Sequence, residues 1–284
     1  MLKRIRIVVP VLTGMVLLAS ASRSSQAQGL YAVSGAGNAT SVLYRLDPTN
    51  GSVLQTIGAT GFNHVTALAF DPTSGALYGH VSDTRGSGTT DLISINPLTG
   101  AGSIIGSTGQ QVPDMSFNPS GQLYSWSESG DVLESIDKTT GVATQIGSNN
   151  VGTSNTGFAF NSTGTLYLKP GSQLYTVDPA TGLGTFVENL SANLANSLAF
   201  DANDNLFSVS RPSGASGPSF LETIDIGTGN VTELGDIGVS GISALAFQSG
   251  ATATPEPGSL ALMAGAALSG SVFLRRRKRA HKAA

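Results

Sequence analysis

A short stretch in which large apolar residues alternate with small ones recurs five times along the chain. The stretches are Val65-Thr66-Ala67-Leu68-Ala69-Phe70, Val112-Pro113-Asp114-Met115-Ser116-Phe117, Asn155-Thr156-Gly157-Phe158-Ala159-Phe160, Asn196-Ser197-Leu198-Ala199-Phe200 and Ile242-Ser243-Ala244-Leu245-Ala246-Phe247. Their final phenylalanines are spaced 47, 43, 40 and 47 residues apart. A period of two is that of a strand, here a buried one, strand a. It is followed by strand b, marked by Leu77-Tyr78, Leu123-Tyr124, Leu166-Tyr167 and Leu206-Phe207. Strand c runs into an Asx-centred turn, and strand d, such as Ser103-Ile104-Ile105-Gly106, closes the unit.

The turns after strand c have a readable chemistry. Asp47-Pro48-Thr49-Asn50-Gly51, Asn96-Pro97-Leu98-Thr99-Gly100, Asp137-Lys138-Thr139-Thr140-Gly141, Asp178-Pro179-Ala180-Thr181-Gly182 and Asp225-Ile226-Gly227-Thr228-Gly229 share one design. The Asx side chain accepts backbone N–H groups, proline at the second place presets φ, and glycine at the fifth can take the left-handed conformation. Five separate turns do not supply the clustered oxygen ligands of one calcium site.

Four strands per unit of 40 to 50 residues predict an all-β, five-bladed β-propeller over 28–249. The ends of the repeat are complementary. It begins with strands b, c and d at Leu30, Val42 and Val53 and finishes with a lone strand a, so pairing of the N- and C-terminal strands would close the fifth blade. Short turns occupy one end of each blade. The b–c and d–a connections at the other end vary in length, which is where binding residues gather on a rigid scaffold. That loop face is expected to hold His64, His80, Asp83, Arg85, Asp114, Trp126, Lys169 and Arg211. His64, His80 and Asp83 have the chemistry for a metal or for acid–base work, but no catalytic or metal-ligand spacing supports it. The expectation is therefore no catalytic residue, no metal and no cofactor. Trp126 and Tyr124 alternate on one strand, so one of them at most faces solvent as a sugar-stacking platform, and blade packing is the expected role of either.

Both ends of the chain differ from the body. Lys3, Arg4 and Arg6 precede an apolar stretch from Ile7 to Ala19 and a small-x-small site at Ser25-Gln26-Ala27, which reads as a signal peptide over 1–27. At the other end a linker, 250–257, carries Pro255-Glu256-Pro257. It leads to an uncharged apolar run over 258–274, a hydrophobic helix just long enough to span a membrane, and then a basic tail over 275–284 with Arg275, Arg276, Arg277, Lys278 and Arg279. Residues 28–254 keep five of the fifteen Lys and Arg and seventeen of the eighteen Asp and Glu, a net charge of about −12. Nucleic acid and anionic lipid are poor partners for such a surface. With no cysteine, the exported body relies on its core alone.

The order of Pro-Glu-Pro, apolar span and basic cluster, over about 254–279, resembles the PEP-CTERM sorting tail of exported bacterial proteins. The resemblance implies processing by an exosortase-like enzyme, transient inner-membrane anchoring, and then a cell-surface or extracellular location in a matrix that contains exopolysaccharide. The implied role is binding of an extracellular ligand through the propeller loops, with exopolysaccharide the candidate. An extracellular propeller lyase or hydrolase, and a purely structural matrix component, are the alternatives.

Overall fold

The computed structural model describes residues 29–35, 39–83, 89–127, 130–148, 151, 156–192, 197–214 and 217–248. The signal peptide, the Pro-Glu-Pro linker, the apolar helix and the basic tail lie outside the described residues.

Among the described residues, twenty strands form five four-stranded antiparallel sheets, with the sheets arranged as the blades of a propeller. Blade 1 contains β1 (Gly29–Ser34), β2 (Thr40–Leu46) and β3 (Val53–Asn63), and blade 2 contains β4 (Val65–Phe70), β5 (Leu77–Asp83), β6 (Thr89–Ile95) and β7 (Gly102–Ser107). Blade 3 follows with β8 (Met115–Phe117), β9 (Leu123–Ser127), β10 (Val132–Ile136) and β11 (Ala143–Ser148). Blade 4 has β12 (Gly157–Phe160), β13 (Leu166–Lys169), β14 (Gln173–Val177) and β15 (Gly184–Asn189). Blade 5 has β16 (Leu198–Phe200), β17 (Leu206–Ser210), β18 (Pro218–Ile224) and β19 (Val231–Ser240). The last strand, β20 (Ile242–Gln248), joins blade 1: the sheet order is β20-β1-β2-β3, and Leu30 lies opposite Phe247.

Small residues let five inner strands converge on one axis. In β4, Leu68 and Phe70 pack toward blade 1, while Ala67 and Ala69 pack toward blade 3. Each of the five interfaces holds its own buried cluster, including the one between blades 5 and 1, where Leu30 and Phe247 meet Phe207 and Leu221. The Leu-Tyr signature has a clear purpose here. The strand-b ring of each blade packs on the strand-a phenylalanine of the next: Tyr31–Phe70 at 5.0 Å between centroids, Tyr78–Phe117 at 5.3 Å, Tyr124–Phe160 at 5.2 Å, Tyr167–Phe200 at 5.3 Å and Phe207–Phe247 at 4.9 Å. These edge-on and tilted geometries suit aromatic quadrupoles. Four of the five strand-a phenylalanines are buried, while Phe200 keeps partial exposure at the wall of the axial pocket described below.

A second ring of contacts runs through the turns. Gly51, Gly100, Gly141, Gly182 and Gly229 all have positive φ, as the Asx-turn reading requires. In three blades such a glycine meets a glycine in the outer strand of the preceding blade: Gly58 with Gly100, Gly106 with Gly141, and Gly147 with Gly182. Backbones touch there, so a Cβ on either partner would collide with a carbonyl group.

Candidate functional site

The structure divides the eight loop-face candidates. His64, half-buried with φ 52°, sits between β3 and β4, and its carbonyl accepts the N–H of Ser82 at 3.0 Å. Arg211 follows β17 and is partly buried. Asp83 ends β5, with its side chain outside the described set, and Arg85 lies outside the described residues. His80, Asp114, Trp126 and Lys169 are fully buried, at 0% exposure each, which corrects their expected place on a solvent-facing surface.

The reason is structural equivalence. The strand-b residue three places after the signature leucine is Val33, His80, Trp126, Lys169 and Val209 in blades 1 to 5. This position faces the next blade, so its occupant is enclosed whatever its chemistry. Trp126 packs against Leu133, Phe158 and Phe160, the blade-packing role expected of it rather than that of a stacking platform. His80 is held by Thr108 Oγ1 at 2.9 Å from Nε2 and by Ser82 Oγ at 3.1 Å from Nδ1. Burial drives its pKa down to about 3, so the ring is neutral. His80 is thus taken up in the core, and among the described residues no group of three or more His, Asp or Glu could hold a metal.

Asp114 performs a different task from a loop-face ligand. It reaches across the propeller axis, where its Oδ1 accepts the N–H of Met115 at 3.0 Å. Its Oδ2 accepts the N–H of Phe158 and of Leu198, both at 2.9 Å. One carboxyl therefore joins the inner strands of blades 3, 4 and 5. Burial pushes it up to about 8, against the pull of those three donors and of Lys169. The Lys169 amine is pushed down to about 8 by burial, opposed by the attraction of Asp114 and Glu222.

At the opposite end of the axis, on the turn face, the inner strands open into a pocket of about 320 Å³. All five blades contribute. Its wall includes Leu68, Phe70, Met115, Phe117, Ala159, Phe160, Leu198, Leu245 and Phe247, and its rim includes Pro72, Pro119, Asn161, Ser162, Asp201 and Ala202 from the a–b turns. The rim is braced between blades: Asp204, at φ 60° where the other a–b turns place glycine, accepts the N–H of Ser162 at 2.8 Å and its hydroxyl at 2.7 Å. Lys138 Nζ likewise donates to buried Asp71 at 2.7 Å and to the Gly121 carbonyl at 3.1 Å. This pocket is not among the sites expected from the sequence. Its signal lay in the Ala and Ser between the large residues of strand a, which keep the axis from being filled.

An antiparallel five-bladed β-propeller is the class that this architecture defines. No family model and no curated protein matches the chain. Among solved structures it is similar to a chain of the nidogen/laminin complex, with a TM-score of 0.55 and 12% identity over 78% of this chain and 98% of that one. It is also similar to a symmetrical protein from a study of de novo evolutionary emergence, with a TM-score of 0.52 and 19% identity over 77% and 97%. TolB from Acinetobacter baumannii gives a TM-score of 0.50 and 15% identity, over 79% of this chain and 55% of TolB. At these identities the likeness is one of fold.

Proposed function

We propose that the protein is an exported, cell-surface or extracellular-matrix binding module that is sorted by its Pro-Glu-Pro tail and holds its ligand in the axial pocket of the turn face. The observation that carries the binding role is the pocket itself: a concave, mainly apolar space to which every blade contributes, rimmed by amide, hydroxyl and carboxylate groups. On this reading the ligand lies on the face opposite the variable loops. Export rests on the signal-peptide pattern, and sorting on the order of motif, span and basic cluster. The acidic surface disfavours anionic polysaccharide and leaves neutral or cationic ligands.

Binding is tested on the purified 28–254 fragment with the neutral dye N-phenyl-1-naphthylamine. Its fluorescence should rise with the fragment and not with A202W, which sets an indole on the exposed rim; equal signals from the two would place binding elsewhere. Sorting is tested in an exosortase-bearing host by replacing Pro255-Glu256-Pro257 with alanines. The variant should stay uncleaved in the inner membrane, and release at the wild-type mass would overturn the sorting role.

A further inference from the structure

The charge around the axial pocket is lopsided. The four a–b turns and five c–d turns at this end carry Asp47, Asp71, Asp137, Asp178, Asp201, Asp204 and Asp225 against a single cation, Lys138, which is engaged with Asp71. Asp137, Asp178 and Asp225 are exposed. Hydrogen bonds from Thr49 to Asp47, from Thr139 to Asp137 and from Ala180 and Thr181 to Asp178 hold those carboxyls below the usual range, so they stay charged at neutral pH. Leu98, Val142 and Leu183, exposed in the c–d turns of blades 2 to 4, add apolar surface between these charges.

We propose that the pocket's ligand is a cationic polypeptide segment, with one or two large apolar side chains entering the axis and flanking Lys or Arg meeting the aspartates of the surrounding turns. The inference rests on the axial pocket being the binding site and names its ligand class. Size agrees, since about 320 Å³ accepts a pair of leucine-sized groups and not a folded domain. Charge agrees as well, since the ring of turns repels anionic peptides and draws in cationic ones. Blade 2 carries Asn96 where blades 1, 3, 4 and 5 carry Asp47, Asp137, Asp178 and Asp225, and its turn closes with the same backbone hydrogen bond, Gly100 N–H to the Asn96 carbonyl at 2.8 Å. The negative charge at the other four positions is thus not required to make the turn, and Asn is a substitution that leaves the turn intact.

The probe is a nine-residue peptide with leucines at its centre and lysines on either side, titrated into the 28–254 fragment by fluorescence anisotropy at low and high salt. Binding should weaken about tenfold or more between 0.05 and 0.5 M salt as charges are screened. It should also weaken about tenfold in the fourfold variant D47N/D137N/D178N/D225N, and be lost in A202W and for a peptide with serines in place of the leucines. A glutamate-flanked peptide that binds as well, or an unchanged affinity in the fourfold variant, overturns the proposal. So does a lysine peptide that binds A202W normally, which marks diffuse surface attraction. If the neutral dye binds but the lysine peptide does not, this ligand class is wrong and the pocket stands. If neither binds, the pocket reading falls as well.

Discussion

Asp114 offers the sharpest test of how the inner strands are held. Asp114→Ala removes the acceptor of three backbone N–H groups, those of Met115, Phe158 and Leu198, all in a fully buried setting. A buried donor left without a partner costs about 1–3 kcal/mol. Three of them, eased by a water entering the space left by the carboxyl, give an expected loss of about 3–6 kcal/mol. Asp114→Asn keeps the shape and one acceptor oxygen but turns an NH2 group toward a backbone donor, for about 1–3 kcal/mol. The assay is equilibrium urea unfolding of the 28–254 fragment. Alanine should shift the midpoint most and asparagine about half as far. The pH dependence has a definite sign: the folded pKa, about 8, is above the ordinary 3.8, so this group's contribution is full below pH 3.8 and is lost as pH rises through about 8. D114N lacks that dependence, and its deficit relative to the parent should shrink as pH rises from 4 to 8. A D114A protein within about 0.5 kcal/mol of the parent would refute the argument, because only an unstressed surface site is that tolerant.

Other substitutions probe other contacts. Phe160→Ala, which empties a buried place against Tyr124, should cost about 3–5 kcal/mol in the same assay, whereas Phe186→Ala, at 47% exposure on an outer strand, should cost under about 1 kcal/mol. Gly147→Ala should destabilise by at least about 1–3 kcal/mol because the new methyl collides with the Thr181 carbonyl of the next blade; Gly109→Ala, in open space at φ 76°, should cost only about 1 kcal/mol, a comparison that thermal unfolding can read. His80, its folded pKa depressed from 6.5 to about 3, contributes stability that is complete above pH 6.5 and fades as pH falls toward 3. The melting temperature of H80Q should therefore fall less steeply than that of the parent between pH 7 and 4, and parallel curves would count against a buried neutral ring.

The blade plan was written in the sequence because a propeller repeats its solutions. The strand-a alternation, the Leu-Tyr step and the Asx turns each recur at a fixed offset, and each sets a local geometry by sterics or hydrogen bonding. What failed was the assignment of exposure. Lys, His and Trp near a strand end suggest a polar loop, yet all three occupy the register that Val33 and Val209 fill in the neighbouring blades. Counting three residues from each signature leucine would have shown the equivalence. The axial pocket was harder to see. It is made by what the inner strands lack, and no single segment contains more than a quarter of its lining. The cross-blade reach of Asp114 was equally hidden, since its partners Phe158 and Leu198 lie 44 and 84 residues away.

The mixed origin of blade 1 also decides how the molecule carries load. Gly29 lies directly opposite Gln248 in an antiparallel pair, so the first and last described strands start and finish side by side. Tension applied between those two points would act across the ladder and open its rungs one at a time, like a zipper, rather than shearing them all together. A pull from the Gln248 side alone, with the Gly29 side unattached, puts no such tension across the pair. A tether on the C-terminal side would therefore hold the propeller without prying apart the one sheet assembled from both ends of the repeat.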